Sequence, residues 1–194
     1  MILGITGGIG CGKSSAVAMF AKAGFRMLDS DRLIREHVLA DAEVRGLLRE
    51  RFGQEVLTAE GAVDRARLGA AVFSDSAALA WLESVTHPRL FALWRKAFAA
   101  DPKAAWAVEV PLLFEKGLEN WFDFTVCVAC SPERQLARLE QRGLPRALAE
   151  QRISKQLPLA RKIEQADFVL WNDGTPEFLQ AEIRQLIEAL TVIR

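Results

Sequence analysis

The chain predicts an α/β fold, and three observations carry that reading. Five apolar runs of strand length, at residues 2–6, 25–28, 105–110, 124–129 and 166–171, are separated by helical patterns. The first run passes through Gly-Gly-Ile-Gly-Cys-Gly-Lys-Ser-Ser, residues 7–15, directly into a helical pattern starting at Lys13. Parallel strands need a crossover, usually one helix, yet residues 32–100 are far longer than one helix requires.

Within residues 7–15, Gly7, Gly12, Lys13 and Ser14 fill the fixed positions of G-x-x-x-x-G-K-[ST], the phosphate-binding loop. A triphosphate needs many donors aimed into one small concavity. Backbone N–H groups converge there only through turns that side chains disfavour, hence Gly7, Gly8, Gly10 and Gly12. The following helix adds unpaired amides and the positive end of its dipole. Lys13 is expected to reach the β- and γ-phosphates, Ser14 to ligate Mg²⁺ through its hydroxyl, and Ser15 to donate on the α-phosphate side.

Lys plus Arg and Asp plus Glu balance at 25 each, so no global charge points to nucleic acid or a membrane surface. No apolar run reaches the length of a membrane span, and residues 1–3 enter the first strand directly, so a cytoplasmic location is expected. Cys127 and Cys130 have C-x-x-C spacing, but inside a strand pattern residues three apart face opposite sides, which argues against a shared metal or disulfide.

After the loop, the second strand ends in Asp29-Ser30-Asp31, at the strand edge where open α/β sheets bind ligands. Helix capping employs one acid and leaves the other unexplained; Asp31 is the candidate catalytic residue. Residues 32–102 read as a mainly helical, substrate-binding insert with a turn-rich break at residues 53–61. In it, Thr86-His87-Pro88-Arg89 separates two helical patterns, and His87 is equally a packed side chain or a substrate contact. Arg65 and Arg89 are candidates for phosphate contact or simply solvated.

The third strand closes at Pro111, with Glu109 near its end as a residue able to hold a Mg²⁺-bound water, or else to pair with a base. The run Leu112-Leu113-Phe114-Glu115 follows at the same edge. Ser131-Pro132-Glu133 opens a helix with a cap, an N1 proline and an early acid. Residues 138–165 are Arg-rich and broken at Gly143-Leu144-Pro145, which reads as a lid, with Arg142 the candidate for stabilising transferring charge. Asn172-Asp173-Gly174 ends the last strand in turn chemistry, where backbone is placed to read an adenine ring.

Taken in order, these pieces resemble the dephospho-CoA kinase family over nearly the whole chain. The matching residues include the loop, Asp29-Ser30-Asp31 with Arg35, Arg51-Phe52-Gly53, Asp64-Arg65 with Leu68-Gly69 and Val72-Phe73. They continue through Leu82-Glu83 and His87-Pro88, then Pro111-Leu112-Leu113-Phe114-Glu115, the most distinctive piece. Gln135-Leu136, Arg138, Gln141-Arg142, Gln156, Ala166-Asp167, Asn172 and Gly174 complete the set. The resemblance implies transfer of the ATP γ-phosphoryl group to the ribose 3′-hydroxyl of dephospho-CoA, with Mg²⁺. It also implies a P-loop NTPase-type three-layer α/β/α core with a five-stranded parallel sheet, formed by residues 1–31, 103–137 and 166–194.

On this resemblance Lys13, Asp31 and Arg142 are catalytic. ATP is held by Gly8, Gly10, Cys11, Gly12, Lys13, Ser14, Ser15, Arg142 and Asn172. The acceptor meets Asp31, Arg65, His87, Pro111, Leu112, Leu113 and Glu115. Small-molecule substrates are the expected partners and a monomer the expected state. Two departures stand out: Cys11 where the family commonly has Ser, and Ser15 where it commonly has Thr. A thiol beside the phosphates implies inhibition by thiol-blocking reagents, with protection by ATP.

Other readings compete. Another small-molecule kinase of this type, with a nucleoside, nucleotide or sugar-acid acceptor, shares the loop but not residues 111–115 or the long insert. A GTPase switch needs N-K-x-D, and Asn172-Asp173-Gly174 lacks the Lys. A module that only holds ATP leaves Asp29, Asp31 and Arg142 idle.

Overall fold

The structure, a computed structural model, describes residues 1–73 and 75–192, without the side chain of Phe73. The expected core segment to residue 194 therefore runs beyond the described residues at its last two positions, and Phe73 of the matched Val72-Phe73 pair is described by its backbone alone. By contacts the chain divides into two compact units, Met1–Leu28 with Lys103–Arg194, and Asp29–Pro102.

The first unit is built on a five-stranded parallel sheet in the order β2-β3-β1-β4-β5. Its strands are β1 (Ile2–Gly7), β2 (Arg26–Asp29, whose last residue opens the second unit), β3 (Trp106–Glu109), β4 (Phe124–Ala129) and β5 (Phe168–Trp171). β1 is central, with Ile2–Ile5 in register with Trp106–Glu109 and Leu3–Gly7 with Phe124–Val128. Central parallel strands are covered on both faces, which is why they read as continuous apolar runs.

Alternation along β1 assigns the two faces. Leu3 and Ile5 enter one core with Val17 and Phe20 of α1 (Lys13–Lys22) and with Leu179 and Ile183 of the last helix, Pro176–Val192. Gly4 and Thr6 face the other way: a Cβ on Gly4 would strike Leu113 and Phe122, and the Thr6 hydroxyl donates to the Pro111 carbonyl at 3.3 Å. A clip locks β4 to β5, because the Asp167 carboxylate accepts both the amide and the hydroxyl of Thr125, at 2.7 and 2.8 Å.

The second unit is helical around its own core of Val38, Val44, Leu48, Val56, Leu68 and Val72. It comprises α2 (Ser30–Leu33), a single π-turn at Ile34–Val38, α3 (Ala42–Phe52), α4 (Arg65–Phe73) and α5 (Ser76–Ala100). The sequence suggests a division at residues 86–89, but α5 runs through it with Pro88 inside. Proline removes one N–H but its φ fits a helix. Here the turn is stitched by Thr86 Oγ1 donating to the Leu82 carbonyl at 2.9 Å and by Arg89 donating to the Val85 carbonyl at 2.9 Å. Burial of Thr86, Leu90 and Trp94 holds both halves on one axis.

The Arg-rich stretch is broken twice rather than once and spans parts of three helices. α6 (Pro132–Gln141) ends at the expected glycine break, α7 (Arg146–Ser154) follows, and a second break before α8 (Leu159–Gln165) comes at Pro158. α9 (Pro176–Val192) closes the unit.

Candidate active site

The loop between β1 and α1 brings the expected phosphate ligands together. Gly12 caps α1 with φ +95°, a left-handed conformation closed to most residues, and a Cβ there would also strike the Asn172 amide. The first backbone hydrogen bond of α1 runs from Ala16 to Gly12 at 3.1 Å. The amides of Ser14 and Ser15 therefore have no acceptor within the helix and face outward, as a helix N-terminus presents them to an anion. The Lys13 ammonium is buried and donates to the carbonyls of Gly7 and Gly8 at 3.1 and 3.0 Å, which stations it over the loop. Ser14 and Ser15 are exposed.

What shapes the loop comes from far along the chain. The Ile9 peptide is held at both ends: its carbonyl accepts from Gln135 Nε2 at 2.6 Å, and its amide donates to Gln156 Oε1 at 2.9 Å. The Cys11 carbonyl accepts from Asn172 Nδ2 at 2.9 Å and from Arg138 at 3.4 Å, while Arg138 also donates to the Asn172 carbonyl at 2.7 Å. Asn172 thus spends its side chain on the loop. A recess of ≈ 200 Å³ beside it is lined by Gly12, Ser15, Met19, Arg138, Arg142 and Asn172, among others. Asp173 accepts the amide and hydroxyl of Ser131, both at 2.8 Å. Burial pushes its carboxyl up, but these bonds outweigh it and hold Asp173 below the usual range.

Glu109, at the end of β3, accepts from the Ser14 hydroxyl at 3.2 Å. Two hard oxygen donors meeting beside the lysine suit Mg²⁺, which prefers one or two protein oxygens, water and phosphate. Among the described residues no cluster of three or more His, Cys, Asp or Glu offers a protein-only metal site.

The segment after β3 divides the expected acceptor residues. Pro111 is partly exposed and Leu112 exposed, but Leu113 is fully buried against Gly4. Leu113 is therefore a packing residue and not a substrate contact. The Glu115 carboxylate is also committed: it pairs with Lys162 at 2.7 Å and accepts the Leu157 amide at 3.0 Å. Lys162 is wholly buried and donates to the Pro111 carbonyl at 2.8 Å, tying α8 to both ends of the segment. Removing one member of a buried pair strands the other's charge. Lys162→Met should therefore lose about 3–5 kcal/mol, or on the order of 10 °C in Tm by calorimetry, and adding Glu115→Gln should recover part of it.

In the second unit, Asp29 caps α2 by accepting the Arg32 amide at 2.9 Å, leaving the cap no need of Asp31, which is exposed in the first turn. Arg65 lines a recess of ≈ 190 Å³ together with Arg35 and Arg45, and Arg45 Nε is buried without a hydrogen-bond partner. His87 is half-buried midway along α5, its ring 5.7 Å from that of Phe91. Arg89, the other arginine raised as a phosphate contact, pairs with Glu43 at 3.0 Å.

Cys11 lies in the loop but its sulfur turns beneath it, with no exposed surface. That burial closes it to bulky thiol reagents in this state and argues against the expected inhibition by them. Its neighbour is the sulfur of Cys130, which donates to it at 3.4 Å.

Sequence reasoning did not find Gln135, Arg138, Gln156 and Lys162 as working residues, although the first three sit in the matched motifs. Lys162 had a signal of its own, a lysine on the same helical stripe as Leu159, Ile163 and Ala166.

A parallel sheet with a phosphate-binding loop after its central strand, a stationed lysine and a Ser–Glu pair define a P-loop kinase. The family model described as dephospho-CoA kinase matches residues 1–177. A dephospho-CoA kinase of Thermosynechococcus vestitus is 40% identical over 190 residues, covering 97% of this chain and 94% of its own. One of Corynebacterium glutamicum is 39% identical, covering 95% and 94%. The chain belongs to the dephospho-CoA kinase family, ATP-using transferases that catalyse the final step of coenzyme A biosynthesis.

Among solved structures, a Thermus thermophilus protein superposes with TM-score 0.87 at 34% identity, covering 98% of this chain and 97% of that one. The dephospho-CoA kinase of Campylobacter jejuni gives 0.71 at 26%, covering 97% and 96%. A shikimate kinase of Acinetobacter baumannii, at 0.52 and 16%, shares the fold.

Proposed function

We propose that this chain performs the family reaction with Lys13, Asp31 and Arg142 as its catalytic residues, moving the γ-phosphoryl group of ATP to the ribose 3′-hydroxyl of dephospho-CoA. The observation that carries the donor side is the loop itself, with Lys13 stationed on the Gly7 and Gly8 carbonyls and Ser14 bonded to Glu109. Phosphoryl transfer is loose, so positioning and charge neutralisation supply most of the rate. Lys13 leaves its two carbonyls for the β- and γ-phosphates, the backbone of residues 8–15 cradles them, and Arg142, beside the same recess, meets charge on the transferring group. Ser14, with Glu109 through water, would hold Mg²⁺, which neutralises the phosphates when bound.

On the acceptor side Asp31 orients the 3′-hydroxyl and takes its proton, since Asp29 already serves as the cap. The recess of Arg35, Arg45 and Arg65 suits the acceptor's diphosphate, where planar guanidinium forks match phosphate oxygens. Pro111 and Leu112 offer apolar surface, Asn172 sets the adenine-side wall, and His87 contacts the acceptor. Residues 32–102 are the substrate-binding insert and residues 138–165 the lid. No helix among the described residues is long and apolar enough to cross a membrane, and we place the enzyme in the cytoplasm as a monomer.

The test is ADP release from ATP and Mg²⁺ with dephospho-CoA, adenosine, shikimate or gluconate as acceptor. Stimulation by dephospho-CoA, with the new phosphate located on the 3′ oxygen by mass spectrometry, is expected. Stimulation by another acceptor alone refutes the assignment.

A further inference from the structure

Cys11 and Cys130 are 119 residues apart, yet their sulfurs lie 3.4 Å apart, both buried and both free thiols. We propose that they form a reversible intramolecular disulfide under hydrogen peroxide, a redox modification site that reshapes the phosphate-binding loop. A disulfide spans about 2.03–2.05 Å, so the sulfurs need to close by about 1.4 Å, a movement that the peptides carrying them must follow.

The hydrogen-bond direction assigns the roles. Cys130 donates its S–H to Cys11, so Cys11 carries the available lone pair. That bond foremost, helped by the Lys13 charge, brings the Cys11 thiol down to about 7 against the opposing effect of burial. Cys130 is pushed up by the same bond and by burial, and Cys127 is pushed up to about 12, chiefly by burial. Thiolate character selects the sulfur that reacts with peroxide. A small neutral oxidant also suits a sulfur closed to bulky reagents.

The Cys11 thiolate attacks one peroxide oxygen, the O–O bond breaks, and hydroxide leaves to become water, giving the sulfenic acid. The Cys130 sulfur then attacks the Cys11 sulfur, and the sulfenic hydroxyl departs as water with the Cys130 proton. Two thiols are oxidised by two electrons while one peroxide becomes two waters. A dithiol reverses the change by exchange.

The consequence for the loop follows from what surrounds Cys11. Its amide donates to Gly8 at 3.2 Å, its carbonyl accepts from Asn172 and Arg138, and its sulfur lies under Gly8, where an added Cβ would stand 2.9 Å away. Drawing the sulfur toward Cys130 drags a peptide whose neighbours cradle phosphate. ATP affinity should fall about tenfold, close to the worth of one charge-assisted hydrogen bond. That effect rests on the nucleotide site described above, whereas the cross-link is read by mass alone.

The test treats the reduced full-length protein with hydrogen peroxide, titrates a fluorescent ATP analogue, then unfolds a portion and maps its thiols by alkylation and peptide mass. A two-hydrogen loss, a link joining the Cys11 and Cys130 peptides, and weakened binding restored by dithiothreitol are expected. Cys130→Ala should instead yield a Cys11 sulfenic acid, read as the mass of one added oxygen on its peptide, and Cys127→Ala should link as the parent does. Thiols that stay alkylatable after peroxide, or a Cys127–Cys130 link, overturn the site. A Cys11–Cys130 link with unchanged analogue binding overturns its effect on the loop. Failure of the reduced protein to bind the analogue counts against the nucleotide reading instead.

Discussion

Lys13→Ala is expected to lower kcat for ADP formation about 10²–10³-fold, the usual cost of deleting one donor aimed at charge that develops in the transition state. The structure explains why no neighbour replaces it. Its ammonium is nearly enclosed and stationed by two loop carbonyls, so its reach is fixed by residues 7 and 8. Arg138, which also touches the loop, is committed to the carbonyls of Cys11 and Asn172. Steady-state turnover with saturating dephospho-CoA measures the loss, and calorimetric titration separates it from weaker ATP binding. A kcat within about threefold of the parent would show that the charge is supplied elsewhere.

Asp31→Asn should lose about 10²–10⁴ in kcat while binding ATP normally, because it removes a proton acceptor and leaves shape and hydrogen bonding. The neighbouring acid supplies the control. Asp29 caps α2 through the Arg32 amide, so Asp29→Asn, which keeps a capping oxygen, should cost little stability. Comparing the two variants by turnover and by Tm distinguishes chemistry at one carboxylate from capping at the other. Normal turnover in Asp31→Asn would remove that residue from the mechanism.

The strands were legible because parallel strands covered on both faces leave apolar runs: Ile2, Leu3 and Ile5, or Val126 and Val128, announce themselves. The loop was legible because its function restricts residue types at fixed spacing. Pro88 misled, since its local bias against helix was outweighed by the burial of Leu90 and Trp94 on the far side of it. Leu113 and Glu115 stood out as a motif, but a motif does not tell packing from contact, and only burial and the Lys162 pair do. Gln135, Gln156 and Arg138 act on a loop more than 120 positions away, and no local pattern marks a polar helix residue that faces such a partner. The Cys11–Cys130 contact was hidden for the same reason, behind a C-x-x-C spacing that drew the eye to the wrong pair.

The grip of Gln135 and Gln156 on the two ends of the Ile9 peptide, with Asn172 on Cys11, bears on how the protein comes into being. Residues 7–15 are made well before the side chains that give them their shape, which lie more than 120 positions further along. A nascent chain halted before residue 172 carries the whole motif without the finished cradle. The motif by itself is thus only part of a nucleotide site, and its cradle waits on side chains made much later.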